Sequence, residues 1–195
     1  MKIIFATNNQ HKVEEVKTLL PSNISIISLR EAGIDAEIPE PHDTLQENAA
    51  EKARTIRTMT GENCFSEDTG LEVQALNGEP GVKSARYAGE EKTSQQNMEK
   101  LLARLGQQED RRARFRTVIC LILADLEYHF EGICEGVITY EPRGDQGFGY
   151  DPVFIPNGAE KTFAEMGMKE KNKFSHRKKA VAKLVEFLNQ MSLQQ

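Results

Sequence analysis

The sequence predicts an α/β fold on a mixed sheet, and three observations carry that prediction. Short apolar runs that read as strands alternate with stretches whose apolar residues recur at helical spacing. The middle of the chain breaks this rhythm with a long strand and a return strand, which read as an antiparallel hairpin. Cap residues stand at the junctions, with Ser, Thr or Asn before the helical patterns and Gly after them.

Taken in order, Ile3 to Thr7 is a short apolar strand. Asn8 and Asn9 then offer caps to a helix carrying Val13, Val16, Leu19 and Leu20, closed by Pro21. Ile24 to Ser28 is a second strand. Thr44-Leu45-Gln46-Glu47 has the form of a capping box and opens a helix that Gly61 ends. Cys64 to Ser66 and Leu71 to Val73 are strand-like, interrupted by the polar Glu67-Asp68-Thr69-Gly70. A loop with glycine and proline runs from Asn77 to Gly89, and Ser94 caps a helix with Met98, Leu101, Leu102 and Leu105 that Gly106 stops. Phe115, Thr117, Ile119, Leu121 and Leu123 line one side of the long strand, and a turn near Asp125 returns the chain as Tyr128 to Ile138. After the loop from Pro142 to Pro152, Ser175 is a natural cap for a last helix with Val181, Leu184, Val185 and Leu188. There is no repeat, low-complexity segment or linker. The expected organisation is one chain-continuous domain, 1–195, open to division into two lobes.

Composition narrows the function. A length of 195 residues allows a substantial core, and a net charge of −5 argues against general affinity for nucleic-acid backbone. Basic residues that meet an anion must therefore be gathered in a pocket. No apolar run approaches the ~20 residues of a membrane span. The opening Met1 to Thr7 is too short for the apolar core of a secretory signal. Cys64, Cys120 and Cys134 are odd in number and form no CxxC pair, which suits reduced, buried thiols in a cytoplasmic protein.

Five constellations carry chemistry. In Lys171-Asn172-Lys173-Phe174-Ser175-His176-Arg177, Arg177 lies four residues before Val181 and so continues an apolar stripe. A fixed cation beside His176 at a helix start suits a planar, oxygen-bearing anionic ligand such as a nucleotide. Thr7, Asn8 and Asn9 stand at the carboxyl end of a strand, with Lys12 in the first helical turn, an arrangement that can hold phosphate oxygens. The alternative is an ordinary Asn-capped helix with a solvated lysine. Lys52 shares a helix face with Leu45, Ala49, Ile56 and Met59, so its ammonium must snorkel to water or meet an anion.

Glu67-Asp68-Thr69-Gly70 puts two carboxylates at a strand end, and Glu40 adds a third on the stiffened Pro39-Glu40-Pro41 loop. Mg²⁺ prefers such hard oxygen ligands, and a carboxylate there can also orient or deprotonate water. A plain turn is the alternative. In Gly147-Phe148-Gly149-Tyr150-Asp151-Pro152, glycines flank an exposed aromatic able to stack on a base, unless Phe148 serves as a core aromatic in a structural loop. His11, His42 and His129 show no metal-ligand spacing. No serine elbow or cysteine–histidine signature supports covalent hydrolysis.

Together these stretches resemble the inosine-triphosphate pyrophosphatases. The matching segments are Ala6-Thr7-Asn8-Asn9 with Lys12, Glu47-Asn48-Ala49 with Lys52-Ala53-Arg54, Glu67 to Leu71, Pro80-Gly81 with Ser84-Ala85-Arg86-Tyr87, Gly147 to Pro152, and Ser175-His176-Arg177. They span essentially the whole chain in the family's order. That family often has glycine where this chain has Asn8, and some members have tryptophan at the place of Tyr150.

The resemblance implies an elongated, curved mixed sheet with flanking helices, two lobes and the substrate in a central cleft. It implies an Mg²⁺-dependent homodimer that cleaves ITP, dITP and XTP between the α and β phosphates, giving monophosphate and pyrophosphate. Carried onto this chain, Thr7, Asn8, Asn9, Lys12, Lys52 and Thr69 would meet the triphosphate. Glu40 and Asp68 would serve the metal, with Asp68 and Lys52 catalytic. Phe148 would stack on the base, with Gly149, Tyr150, Asp151, Lys171, Ser175, His176 and Arg177 around it.

Two rivals are weaker. Ser175-His176-Arg177 speaks against the septum-formation-inhibitor family of nucleotide pyrophosphatases. A nucleotide sensor that only binds needs no water-activating carboxylate. Membranes and nucleic acid are not expected partners.

Overall fold

Alternation along the first strand sets up the architecture of the first half. In β1 (Lys2–Phe5), Ile3 and Phe5 turn to one face of the sheet and Ile4 to the other. Strand β2 (Ser25–Ser28) pairs with β1 in parallel, Ile3 opposite Ile26. Strand β3 (Cys64–Val73) pairs with its other edge, also in parallel, Phe5 opposite Phe65. Those two phenylalanine rings stack at 4.4 Å.

Helix α1 (Gln10–Lys17) covers the Ile3–Phe5 face with Val13 and Val16. Helix α5 (His176–Ser192) adds Val181, Leu184 and Leu188 to the same cluster. Helix α2 (Leu45–Thr60) covers the opposite face with Ala49, Ala53 and Ile56. Each fully buried leucine or valine there contributes ~1.5–3 kcal/mol relative to exposure.

The computed structural model describes residues 2–36, 38–89 and 93–192. The sheet runs β2-β1-β3-β5-β6-β7, with β4 paired on β3. Here β4 is Pro80–Gly81, β5 Arg112–Leu123, β6 Leu126–Ile138 and β7 Phe154–Pro156. Parallel pairs on β1 and antiparallel pairs of β4 with β3 and of β7 with β6 make the sheet mixed, as expected.

The chain forms two compact units. The first comprises Met1–Asp68, Thr117–Gly132 and Arg177–Gln195, and the second Thr69–Arg116 and Ile133–His176. In the second, Leu71, Val73, Phe115, Phe154 and Phe163 pack with Leu101 and Leu105 of α3 (Ser94–Leu105) in one core. A four-residue helix, α4 (Met168–Lys171), completes that unit.

Several boundaries differ from the sequence reading. The largest difference is β3, which runs unbroken through Glu67-Asp68-Thr69-Gly70. Polar residues signal a turn only when they need water, and here Glu67 and Asp68 are buried against cations. Gly70 serves close approach instead of a turn: a Cβ there would lie 2.6 Å from the Gly81 carbonyl oxygen across the β3–β4 pair.

Helix α1 ends at Lys17, short of Pro21, with Thr18 as its C-cap. Thr93, not Ser94, caps α3, because its side chain and that of Gln96 form a reciprocal capping box. Strands β4 and β7 and helix α4 are too short to show a period. From Thr117 to Ile122 strand β5 is buried on both faces, so alternation holds only in its first half. The caps Asn9, Thr44 and Gly61 stand where expected, and the hairpin turns at Ala124 and Asp125, both with positive φ.

Candidate active site

In the first unit, two sets of charges gather on α1, α2, β3, α5 and the loop that carries Glu40. Asn9 caps α1, its side chain accepting from the Lys12 N–H at 3.3 Å, while Thr7 Oγ1 accepts from the Asn9 N–H at 3.2 Å. The exposed Asn8 donates from Nδ2 to the Ala36 carbonyl at 3.1 Å. Lys12 reaches inward, its Nζ 3.2 Å from Glu67 Oε1, so it is not a solvated lysine. Glu67 also receives the Arg177 guanidinium: Nε donates to both of its oxygens and Nη2 to Oε1 at 2.8 Å. Arg177 Nη1 donates to Glu15.

Arg177 and Glu67 are almost fully buried. Burial alone would raise Glu67, but Arg177 first and Lys12 second hold its carboxyl far below the usual range. Arg177 is correspondingly locked in its charged form by Glu67 and Glu15.

The second set centres on Lys52. Lys52 is 6% exposed, and its ammonium does not snorkel to solvent. It donates to Glu40 Oε1 at 2.6 Å and to Asp68 Oδ1 at 3.0 Å. Met59, counted in the same stripe by spacing, is exposed because it stands in the last turn of α2, beyond the core. Between two carboxylates, Lys52 stays protonated despite its burial. Asp68 lies above the ordinary carboxylate range, because burial, with Glu40 adding to it, outweighs the attraction of Lys52.

The residues present fit a hard cation. Asp68 Oδ2 is buried and accepts no hydrogen bond among the described residues. Among the described residues, Lys12, Lys52 and Arg177 pair with Glu15, Glu40, Glu67 and Asp68, three cations against four carboxylates. The excess is one negative charge, all of it on oxygen ligands.

The second unit gathers rings around a buried ion pair. Gly147, at φ +74, lets the loop close on Asp151, whose Oδ2 a Cβ at that position would overlap. That oxygen accepts from the Phe148 N–H at 3.0 Å and from Lys171 Nζ at 2.7 Å. Lys171 Nζ in turn lies 5.4 Å from the ring centroid of the half-buried Phe148.

His176, 3% exposed, stacks on Phe115 with ring centroids 4.7 Å apart and planes 14° from parallel. The buried Tyr150 donates its hydroxyl to the Ser84 carbonyl at 2.9 Å, and Gly149 follows Phe148 at φ +63. Ser175 is buried directly before α5, and Thr69 is half-buried in β3.

The structure therefore brings Lys12, Glu40, Lys52, Asp68 and Arg177 together with one another's partners. It separately joins Phe148, Asp151 and Lys171. Of the first cluster, Glu15 was missed as a site residue, and Glu67, singled out beside Asp68, was given no role of its own. Glu15 does lie four residues before Leu19, but α1 ends at Lys17, so that spacing marks its burial only weakly. The available clue was Arg177, a cation on an apolar stripe that required carboxylate partners.

The chain is similar over nearly its full length to known proteins. The Ham1 family model matches residues 3–187. A dITP/XTP pyrophosphatase of Porphyromonas gingivalis is 52% identical over 188 residues, covering 96% of this chain and 97% of that protein. One from Christiangramia forsetii is 51% identical over 189 residues, covering 97% and 100%. Among solved structures, the Staphylococcus aureus Ham1 protein superposes with a TM-score of 0.88 at 39% identity, covering 98% of this chain and 100% of that one. With a sequence match over nearly its full length and the same fold in solved relatives, this chain belongs to the Ham1 family.

Proposed function

We propose that this protein hydrolyses the deaminated-purine nucleoside triphosphates ITP, dITP and XTP to monophosphate and pyrophosphate, with Mg²⁺ as cofactor. It would thereby clear such nucleotides from the cytoplasmic pool, acting as a homodimer. The relatives named dITP/XTP pyrophosphatase support the substrate class. The observation that carries the chemistry is Lys52 held between Glu40 and Asp68, with Asp68 Oδ2 buried and unbonded among the described residues.

Glu40 and Asp68 are the residues that would hold Mg²⁺, which when bound supplies charge neutralisation on phosphate oxygens. Thr7, Asn8, Asn9 and Thr69 offer hydroxyl and amide groups to the triphosphate, and Lys12 and Lys52 offer charge. Lys52 offsets negative charge on the pyrophosphate leaving group. Asp68 aligns water against the α phosphorus and accepts its proton, a task suited to a carboxylate held above its ordinary range.

In the second unit, Phe148 stacks on the base, and Gly149, Tyr150, Asp151, Lys171, Ser175 and His176 shape its surroundings. An imidazole or guanidinium N–H favours O6 and N7 of hypoxanthine or xanthine and opposes the N6 donor of adenine. For Arg177 to act as such a reader, one of its two carboxylate partners must give way. Arg177→Ala is expected to erode preference for 6-oxo purines more than it changes Mg²⁺ dependence. Equal losses on every nucleotide would contradict that role.

The direct test measures pyrophosphate and monophosphate release with Mg²⁺ from ITP, dITP, XTP, GTP, ATP and CTP in parallel. Rapid release from the first three alone supports the assignment. Tight ITP binding without turnover would make the protein a sensor instead.

A further inference from the structure

We propose that Cys120, Glu127 and His129 form a second cation site, for a thiophilic divalent ion of the Zn²⁺ class, inside the first unit and separate from the Lys52 cluster. Sequence spacing gives no hint of it, and His129 was set aside on that ground. The hairpin creates it. With only Ala124 and Asp125 between β5 and β6, Cys120 falls opposite His129, and Glu127 lies one same-face position nearer the turn. The Ile138 N–H to Arg111 carbonyl bond at 2.9 Å follows the same register far from the turn, so no bulge intervenes.

One ligand atom from each of the three side chains lies within 4.8 Å of the others. Bonds of about 2.0–2.3 Å to tetrahedral Zn²⁺ require separations only modestly shorter. The Glu127 and His129 side chains are each 30% exposed, with room to rotate inward. Cys120 is fully buried and anchored in the core.

The donor set matches the ion. Thiolate, imidazole and carboxylate together select Zn²⁺-class ions over Mg²⁺, and two negative charges balance a divalent cation. Burial first and Glu127 second push the Cys120 thiol up to about 12. The cation therefore binds by displacing the thiol proton to solvent as the sulfur–metal bond forms.

Glu127 at present receives Arg54 through both oxygens, at 2.5 and 2.8 Å. The Arg54 side chain is 56% exposed and can turn to water, so it is a displaceable competitor. Three protein ligands leave a fourth position for solvent.

The test uses the full chain and Co²⁺ as probe. A thiolate-to-Co²⁺ charge-transfer band reports a sulfur ligand that an all-oxygen site cannot supply. One equivalent should saturate the band, and Zn²⁺ should abolish it. The band should vanish in Cys120→Ser and titrate at least about tenfold more weakly in His129→Gln. Arg54→Met should tighten binding by freeing Glu127, a direction that structural damage would not produce. His129→Gln, on the exposed side of the site, carries the test if Cys120→Ser does not fold. No band in the unmodified protein, or a band that survives Cys120→Ser, overturns the proposal.

Discussion

The first unit holds most of its clustered charges on regular elements, and the second holds its Asp151–Lys171 pair on a glycine-bearing loop and a single helical turn. Lys12 and Glu15 stand on α1, Lys52 on α2, Glu67 and Asp68 on β3 and Arg177 on α5. Each faces an opposite charge, and Glu40, on the loop before α2, makes the carboxylates four against three cations. In the second unit Asp151 and Lys171 form a buried pair among Phe148, Phe163 and the Phe115–His176 stack. The contrast separates two kinds of recognition. A cluster of fixed, nearly neutralised charges suits a ligand that brings both anion and cation. A ring-lined loop suits a planar base, whose contribution comes from stacking and a few directed donors.

The comparison breaks most sharply at Asp68. Replacing it by Asn keeps the shape of β3 and leaves Lys52 on Glu40, yet removes the group that takes the proton. Turnover of ITP should fall by ~10²–10⁴-fold, the usual range for losing a general base, while equilibrium binding of ITP persists. Lost binding with unchanged fold would shift Asp68 from catalysis to ligand retention.

Arg177→Met comes next. It leaves Glu67 and Glu15 buried without their shared cation, and removing one partner of such a group costs about 3–5 kcal/mol. Denaturant unfolding should show that loss, and adding Glu15→Gln or Glu67→Gln should restore part of it. A variant as stable as the parent would mean that the network contributes nothing to folding.

Phe148→Ala sharpens the other side of the comparison. The ring is half-buried, so folding stability should hardly change. Base stacking is worth ~1–3 kcal/mol, which should appear as a higher KM for every purine with little change in kcat. A stability loss with unchanged KM would return Phe148 to the core.

The smallest effect belongs to an exposed pair in the first unit. Lys17, then the Ser28 N–H and hydroxyl, lower Glu31 from 4.5 to about 2. Because the folded value lies below the unfolded one, the stabilisation is fully present above about 4.5 and is lost as pH falls through about 2. Glu31→Gln should thus be slightly less stable than the parent at neutral pH, with the gap closing in acid. A gap independent of pH would assign the effect to hydrogen bonding alone.

Much of the fold was legible because α1, α2, α3 and α5 carry caps and apolar periods that depend on local chemistry. The hairpin was legible for the same reason, since its strands are long. Strand β3 was not, because Glu67 and Asp68 look like turn residues until their cations on α1, α2 and α5 are known. Those partners are distant in sequence, Glu67 and Arg177 by 110 positions. At the candidate site, Lys52 and Arg177 betrayed themselves as charges on apolar stripes. Glu15 did not, and neither did the convergence of Cys120 with His129, which exists only in the hairpin register.

In the proposed reaction water held by Asp68 attacks the α phosphorus. Hydrolysis of ITP in water enriched in heavy oxygen, followed by mass analysis of both products, tests it directly. The label should enter the inosine monophosphate and be absent from the pyrophosphate. Label in pyrophosphate, or release of inorganic phosphate in its place, would put the attack on another phosphorus and contradict the mechanism.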